Sequence, residues 1–464
     1  MKRNELIRRL LWMVAMGFIL LPTVARAQSA DDFRITLTGD SNWHRRLSVY
    51  KDPGFLKLID RMKSADARFT NFEVLIHPIN IPANPWAGGG YAYAPPWMVD
   101  EIKWVGFNLL SVANNHAFDY GAEGFLDSIH ALDAAGIVNA GGGENLAFAR
   151  APAYLDTNHG RVAFIACASS LREGSLAGQQ RPDLRGRPGV DPFRYTTTYT
   201  VDQATFNSLR KVAALRRGVE DGERSQTSSV LNFAGARYQV GEKVGVHTEP
   251  NPDDLAGLLA SIRNGHRQAE WVVVSIHAHE GAGPNSEGPA EFLVTFAHAA
   301  IDAGADVFIA HGPQTIKGIE IYKGKPIFYG LGNFVFDGEA GIPFLPSESY
   351  ESEHLPWDAT TADFRDASSK NDTAGYPAHK EVWQNLVAEA SFSPDHKLTS
   401  LVLDPIELGY GKSRTQRGHP LPATPSQAQD IIDRLTKLSA KLGTKVNFVD
   451  GHGVINVDQY QSQK

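Results

Sequence analysis

Residues 106–121 read Gly106-Phe107-Asn108-Leu109-Leu110-Ser111-Val112-Ala113-Asn114-Asn115-His116-Ala117-Phe118-Asp119-Tyr120-Gly121. The mostly apolar run from Phe107 to Val112 predicts a short strand that passes directly into Asn114-Asn115-His116. A helix is predicted over about Ala122 to Ala135, ahead of Gly136. A strand that stops at polar residues and hands over to a helix is the repeating unit of an α/β protein. Such sheets gather their ligands just beyond the strand ends.

The same unit recurs on both sides. Upstream, Phe33 to Thr38 alternates like a strand and ends in Gly39-Asp40. A helical stretch from Gly54 to Lys63 leads to a second strand, Ala67 to Glu73, with Asn71 and Glu73 at its end. Residues 80–96, rich in Pro, Gly and aromatics, are read as a loop. Downstream, Val162 to Cys167 is a strand, and Trp271 to Ile276 is another that stops at His277. A helix from Glu291 to Ala303, ended by Gly304, precedes the strand Asp306 to Ala310 and then His311. Strands at Leu386 to Phe392 and Leu398 to Leu403, and a helix from about Ser426 to Leu442, complete a single α/β domain over 33–450. Two insertions interrupt it, near 171–252 and 336–380. The first has one helical piece near Ala204 to Arg217. Neither carries enough apolar residues for a core of its own, so both are read as loops bordering a site.

The chain has 464 residues, 42% hydrophobic and 21% charged, which is the make-up of a globular protein able to bury a large core. Its beginning differs. Lys2, Arg3, Arg8 and Arg9 surround the start of an apolar run, Leu10 to Leu21, and Ala25-Arg26-Ala27 offers small residues for a signal peptidase. The run is short for a membrane span. Residues 1–27 are therefore read as a signal peptide and the mature protein as exported, periplasmic or secreted, with no stable transmembrane anchor. Arg8-Arg9 leaves both the Sec and the twin-arginine route open. Cleavage takes away five basic residues and one acidic residue, moving the formal charge from −7 to −11. With no basic tract and no aromatic-basic interleaving, nothing points to nucleic acid. Cys167 is the sole cysteine, so no intrachain disulfide forms, and its apolar strand predicts a buried structural thiol.

Five clusters sit at strand ends: Gly39-Asp40, Asn71-Phe72-Glu73, Ala113 to His116, His277-Ala278-His279-Glu280, and Ala310 to Gln314. Mixed carboxylate, amide and imidazole donors are what divalent transition metals bind, and two-metal hydrolytic sites use them to activate water. Singly, each has a plainer reading: a turn at Gly-Asp, a helix N-cap at Asn-Asn-His, a satisfied core histidine at His277. Taken together, all at strand ends, they predict one site.

Here the sequence resembles a known family. Residues 106–121 are similar to the central motif of the CapA family, the poly-γ-glutamate capsule-synthesis proteins. Ala303-Gly304-Ala305-Asp306 leading to His311 and Pro313 is similar as well. So are Ile319-Glu320-Ile321-Tyr322-Lys323-Gly324-Lys325-Pro326-Ile327 and Leu331-Gly332-Asn333-Phe334, which match the closing motif. The likeness covers roughly residues 33–337. It implies the four-layer α-β-β-α sandwich of calcineurin-like metallophosphoesterases and a divalent metal, Mn, Fe or Zn. It further implies Asp40 on a first metal, Glu73 as a bridging carboxylate, Asn115 and His277 on a second, and His311 as a further ligand. His116 would stand beside the reacting group as the acid or electrostatic stabiliser.

Three positions depart from the pattern. Asn42 stands where phosphoesterases carry a histidine, with His44 near but displaced. Gln314 replaces a common histidine, and Ala278-His279 replaces the usual Trp-Gly. His279 and Glu280 could compensate as ligands, although strand alternation turns one of them away. Asp119 either orients His116 or caps the helix that follows. Asn114 reads as a turn or capping amide, and Asn333 as a turn residue. Trp86, Tyr91, Tyr93 and Trp97 either wall a substrate site or pack a long loop onto the body.

The expectation is an exported metal-dependent hydrolase acting on a capsule-type polymer or on a peptide-like or phosphorylated substrate. The alternative is a non-catalytic accessory protein of polyglutamate capsule synthesis or export, working with other capsule-synthesis proteins. A solute-binding protein fits less well, because the polar residues gather at five strand ends. N-terminal sequencing of the exported protein should begin at or next to Gln28. A chain that retains Met1 would contradict the signal-peptide reading.

Overall fold

The structure is a computed structural model and describes residues 29, 31–87, 90–215, 229–283, 287–338, 342 and 344–461. The signal-peptide reading of 1–27 lies outside them. The chain opens with β1 (Phe33–Asn42), α1 (Pro53–Lys63), β2 (Ala67–Phe72), α2 (Met98–Val105), β3 (Leu109–Ser111), α3 (Gly121–Ala134) and β4 (Val138–Ala140). These strands pair in chain order, all parallel. Next come β5 (Ala153–Thr157), β6 (Gly160–Ala168), α4 (Pro252–His266), β7 (Trp271–His277), α5 (Glu291–Asp302), β8 (Val307–His311), β9 (Ile319–Tyr322) and β10 (Lys325–Phe328). They form a second sheet in the order β9-β10-β8-β7-β6-β5, parallel at its centre with an antiparallel strand at each edge. The chain then returns to the first sheet with β11 (Asn333–Phe336), β12 (Gln384–Phe392), β13 (Leu398–Glu407), α6 (Pro425–Ala440), β14 (Asn447–Val449) and β15 (His452–Val454).

Local chemistry sets these elements. In α1, the Asp52 side chain accepts from Phe55 N and Pro53 occupies the first turn, while Phe55, Leu58, Ile59 and Met62 form one buried face. A capping box between Thr424 and Gln427 starts α6. Alternation in the second sheet then sorts its side chains. Val162, Phe164, Ala166, Val273 and Ile309 join the core shared with the first sheet. Ala163, Ile165, Cys167, Val272, Val274 and Phe308 turn to a core shared with α4 and α5. The two sheets touch directly: Phe33 stacks on Trp271 at 4.6 Å, and Phe69 meets Phe164 edge-on at 5.7 Å. Cys167 is buried, as its strand predicts.

The two insertions differ. Among the described residues of 336–380, helices Ser347–Ser352 and Thr361–Ser369 lie beside a large cavity. Residues 171–252 are more than a loop. Strands Tyr195–Val201, Val230–Phe233, Ala236–Val240 and Gly245–Pro250 build a small sheet beside helix Gln203–Leu215. Threonine and tyrosine favour strands without adding much hydrophobicity, so apolar content understated this sheet. It is anchored from outside itself: Tyr195 stacks on Phe292 at 4.3 Å, and Thr248 N donates to Glu291 Oε2 at 3.0 Å.

One backbone contact places the end of β1. Gly39 lies against Gly332, where an added Cβ would stand 1.8 Å from the Gly332 carbonyl oxygen, and Asp40 N donates to that oxygen at 2.9 Å. Gly39→Ala must therefore push β1 away from the turn that leads into β11. Urea denaturation should show a loss of about 1–3 kcal/mol, the usual range for overpacking, and Asp40 should shift with the strand. Unchanged stability would mean that the contact is loose.

Candidate metal centre

β1, β2, β7 and β8 all end at one place, and their last polar residues meet there. Asp40, Glu73, His277 and His311 are each at most 1% exposed. His277 is the hub. Its Nδ1 lies 3.0 Å from His311 Nδ1, and its Nε2 lies 3.0 Å from His279 Nε2. Asp40 Oδ1 is 3.9 Å from His277 Nδ1 and 3.5 Å from His311 Nδ1, while Glu73 Oε1 is 3.7 Å from His277 Nε2. Two groups can thus hold a metal ion, Asp40-His277-His311 and Glu73-His277-His279, with His277 in both.

The electrostatics support that reading. Among the described residues, neither Glu73 carboxylate oxygen has a hydrogen-bond partner, although both are buried. Burial pushes the Glu73 carboxyl well above the ordinary range, helped by the negative charge of Asp40 and Asp119. Burial also drives His277 well below the usual histidine range, with His279 and His311 adding to the effect. A buried acceptor without a donor, beside imidazoles that prefer to be neutral, is what a cation satisfies. The donors, imidazole nitrogen and carboxylate oxygen, suit a divalent transition metal.

Supporting contacts orient these groups. Asp40 Oδ1 accepts from Asn71 Nδ2 at 2.7 Å, and its Oδ2 accepts from Gly312 N at 2.9 Å. The Asn71 amide also reaches His277 Nδ1 at 3.3 Å. Ser275 Oγ lies 2.8 Å from His311 Nε2, which leaves Nδ1 turned to the cluster. The sequence reading placed Asn71 in a strand-end cluster without a role of its own, and did not single out Ser275; period-two alternation could have flagged Ser275, which shares a strand face with His277.

Above the cluster opens a cavity of about 650 Å³, lined by Asn42, Tyr91, Asn115, His116, His279 and Gln314 on the body side. Asn115 is half-buried on this wall. His116 is buried, and its Nδ1 lies 2.7 Å from Asp119 Oδ2, which also accepts from Ala92 N at 2.8 Å. Burial alone would lower His116, yet the Asp119 charge and hydrogen bond outweigh it and raise the imidazole above its ordinary value. Asp119 therefore orients His116. The N-cap of α3 is Tyr120, without a side-chain bond.

Several expected residues lie elsewhere. Glu280 is drawn away from the cluster, accepting from Ser169 Oγ, Ser170 Oγ and Tyr195 OH at 2.7, 3.0 and 3.2 Å. β7 ends at His277, so alternation no longer governs its direction. His44 stays displaced, held between Asn42 Oδ1 at 2.9 Å and the Tyr93 carbonyl at 2.6 Å, and burial lowers its pKa to about 3. Gln314 lines the cavity together with Tyr376. Asn114 is the turn amide expected, accepting from His116 N and donating to Phe72 O. Asn333 is not a turn residue: it begins β11 opposite Asp40 and donates to Gln314 O and Val382 O. Of the four aromatics, only Tyr91 reaches the cavity. Tyr93 is buried, and Trp86 and Trp97 pack on the core.

Fold and site together define an α/β protein with paired His/carboxylate groups buried at the ends of parallel strands, opening beside a His–Asp pair. Residues 34–338 match the family model for the bacterial capsule synthesis protein PGA_cap, and the chain belongs to that family. It is 36% identical over 441 residues to the uncharacterized protein y4sH of Sinorhizobium fredii, covering 92% of this chain and 94% of that protein. It is 30% identical over 246 residues to a probable polyglutamine synthesis accessory protein of Mycobacterium tuberculosis, 53% of this chain and 49% of that protein. Identity to the capsule biosynthesis protein CapA of Bacillus anthracis is 27% over 240 residues, 52% of this chain and 42% of CapA. Among the described residues, no helix is long and apolar enough to cross a membrane.

The protein purified without chelator should hold transition metal by elemental analysis. Asp40→Ala and His277→Ala should each cut that content about tenfold or more while the far-ultraviolet spectrum stays native. Acidification should release the metal, because bound imidazoles and carboxylates must shed their protons. A wild type free of metal would overturn the assignment.

Proposed function

We propose that this protein is an exported, metal-dependent hydrolase of capsule or poly-γ-glutamate metabolism, working in the periplasm or outside the cell. Its two facing sheets and flanking helices are then read as the four-layer α-β-β-α sandwich of the metallophosphatase type. The observation that carries the proposal is the Glu73 carboxylate, without a hydrogen-bond partner among the described residues, beside His277 and His279 and under a cavity lined by His116, whose Nδ1 meets Asp119. Asp40, His277 and His311 would hold one divalent ion, Mn, Fe or Zn, and Glu73, His277 and His279 a second, with Asn115 at the cavity side. Bound there, such ions supply Lewis acidity to a water and to the scissile group. His116 supplies what a metal does not. Asp119 holds its Nδ1, and the ring also bonds the Gly90 backbone, a contact the imidazole would give up in passing a proton to the leaving atom. The Asp119 charge and hydrogen bond raise the His116 pKa, which favours the protonated ring. The substrate is a capsule-type polymer, or a peptide-like or phosphorylated fragment of one.

A second reading is a non-catalytic accessory protein that binds polymer or other capsule-synthesis proteins. Asn42 favours it, since its amide is engaged with His44 and supplies no imidazole where phosphoesterases have one.

His116→Asn distinguishes the two. The hydrolase reading expects unchanged metal content and turnover lowered about a hundredfold, as for loss of a general acid. With the wild type, activity should fall as pH rises through the elevated His116 pKa, and the variant should lose that limb. Assays against phosphoester and γ-glutamyl substrates that find no wild-type turnover, alongside polymer binding, would establish the accessory role.

A further inference from the structure

β8 ends at His311, and the next three residues, Gly312-Pro313-Gln314, turn beside the metal cluster. Each part of that turn is held. Gly312 (φ +119°) lies so close to His277 that an added Cβ would stand 3.2 Å from the imidazole Cε1. Its N–H bonds Asp40 Oδ2 at 2.9 Å, and the ring of Pro313 fixes φ at the next position. The Gln314 carbonyl accepts from Asn333 Nδ2 at 3.4 Å, and Asn333 pairs opposite Asp40. Gln314 itself has φ +56°. A residue with a side chain pays to adopt that left-handed region and keeps it only where its surroundings enforce it.

The side chain so held has little freedom. Gln314 is 6% exposed and lines the cavity with Asn115, His116 and His279. Its Oε1 is buried, and no donor among the described residues reaches it. Tyr376 comes from the second insertion, which supplies the cavity's other wall. Burial raises the Tyr376 phenol and the Glu73 and Asp40 charges add to the rise, while the Gln314 amide acts the other way. The N–H end of an amide is the end that favours a phenolate, so Nε2 is turned to Tyr376 and Oε1 away from it. A buried amide oxygen without a donor is costly, and a ligand that brings a donor removes the cost.

We propose that Gln314 Oε1 accepts the N–H of a substrate amide bond, so that the cavity selects an amide-linked, peptide-like chain over an ester or a phosphoester. The inference rests on the cavity being the substrate's place, as the hydrolase reading has it, and narrows that reading to one linkage. An ester of the same shape puts an oxygen lone pair where the N–H belongs, and a phosphate dianion offers acceptors alone. Either leaves the Gln314 oxygen buried and unpaired, the mismatch by which a polar site rejects an analogue most strongly.

The test is calorimetry on the metal-loaded protein in the His116→Asn background, which slows turnover during the titration. The probes are a γ-linked diglutamate, its analogue with an ester oxygen in place of the amide N–H, and phenyl phosphate. With Gln314 present, the amide should bind about tenfold or more tighter than the ester. Gln314→Met should bind the two equally and keep its metal content. Asparagine tolerates the left-handed backbone, so Gln314→Asn keeps the turn and the amide but withdraws the oxygen by one methylene. It should lose most of the preference, and it carries the test by itself should the Met variant misfold. Equal affinity for amide and ester with Gln314 present overturns the inference, as does a preference that survives both substitutions. Binding of neither probe overturns it too. Loss of metal in Gln314→Met would make the residue a metal ligand instead, and weakened phenyl phosphate binding would mean that the amide offers its N–H; each overturns it. A protein that shows the amide preference yet no turnover with His116 restored would sink the hydrolase reading and leave the inference standing.

Discussion

Groups that cannot all be charged together are buried at one point, and the rest of the structure serves to keep them there. Glu73 is fully enclosed with no donor among the described residues, and His277 is enclosed with imidazoles on both ring nitrogens. In an interior of low dielectric, an unpaired carboxylate costs several kcal/mol, and the protein alone can relieve that only by protonating Glu73. The directions of the two shifts describe that relief: acid held neutral, imidazole held neutral. A divalent cation removes the conflict, since both then bind in the forms a metal requires. The apolar body holds the arrangement in place. Phe69, two residues inward from Asn71, packs against Phe164 and the His311 ring, so the core of the two sheets fixes the cluster's spacing.

Much of this was legible in the sequence because strand periodicity and strand termination are local properties. The run before Asn114 predicted a strand over 107–112, and β3 spans Leu109–Ser111. Asp40, Glu73, His277 and His311 stood out as polar groups clustered at the ends of apolar strands, and the family resemblance implied their roles as ligands. Ser275 did not, since a single hydroxyl inside a strand is common and its direction depends on a partner strand. Alternation expected one of His279 and Glu280 to turn away, and Glu280 is the one that does. Once β7 ended, tertiary partners decided its orientation, and three hydroxyls from other segments captured it.

The insertions show the limit of apolar counting. Residues 195–201, Tyr-Thr-Thr-Thr-Tyr-Thr-Val, form a strand with little burial, and its sheet depends on partners in the body. Arg150 and Arg194 both bond Asp254, tying the chain leading into that sheet to the start of α4. No window of sequence contains both ends of such a bond.

The second insertion is rooted in the site itself. β11 pairs with β1 in parallel, Asn333 opposite Asp40, and the chain leaves β11 directly into the wall. At that exit, Asp337 accepts from His44 N at 2.7 Å and from Arg45 N at 3.1 Å, which locks the loop after β1 to the first residues of the insertion. Arg417 then clamps Asp372 through two bonds, at 2.9 and 3.0 Å, holding the far end of the wall to the segment after β13. The wall is therefore held at both ends, while its middle contributes the cavity lining. Changes in that middle can alter what the cavity accepts without moving Asp40, His277 or His311, because neither anchor passes through them. Asp337 and Arg417 thus fix the two ends of the segment, while Phe69 and Phe164 in the core of the two sheets hold the cluster itself.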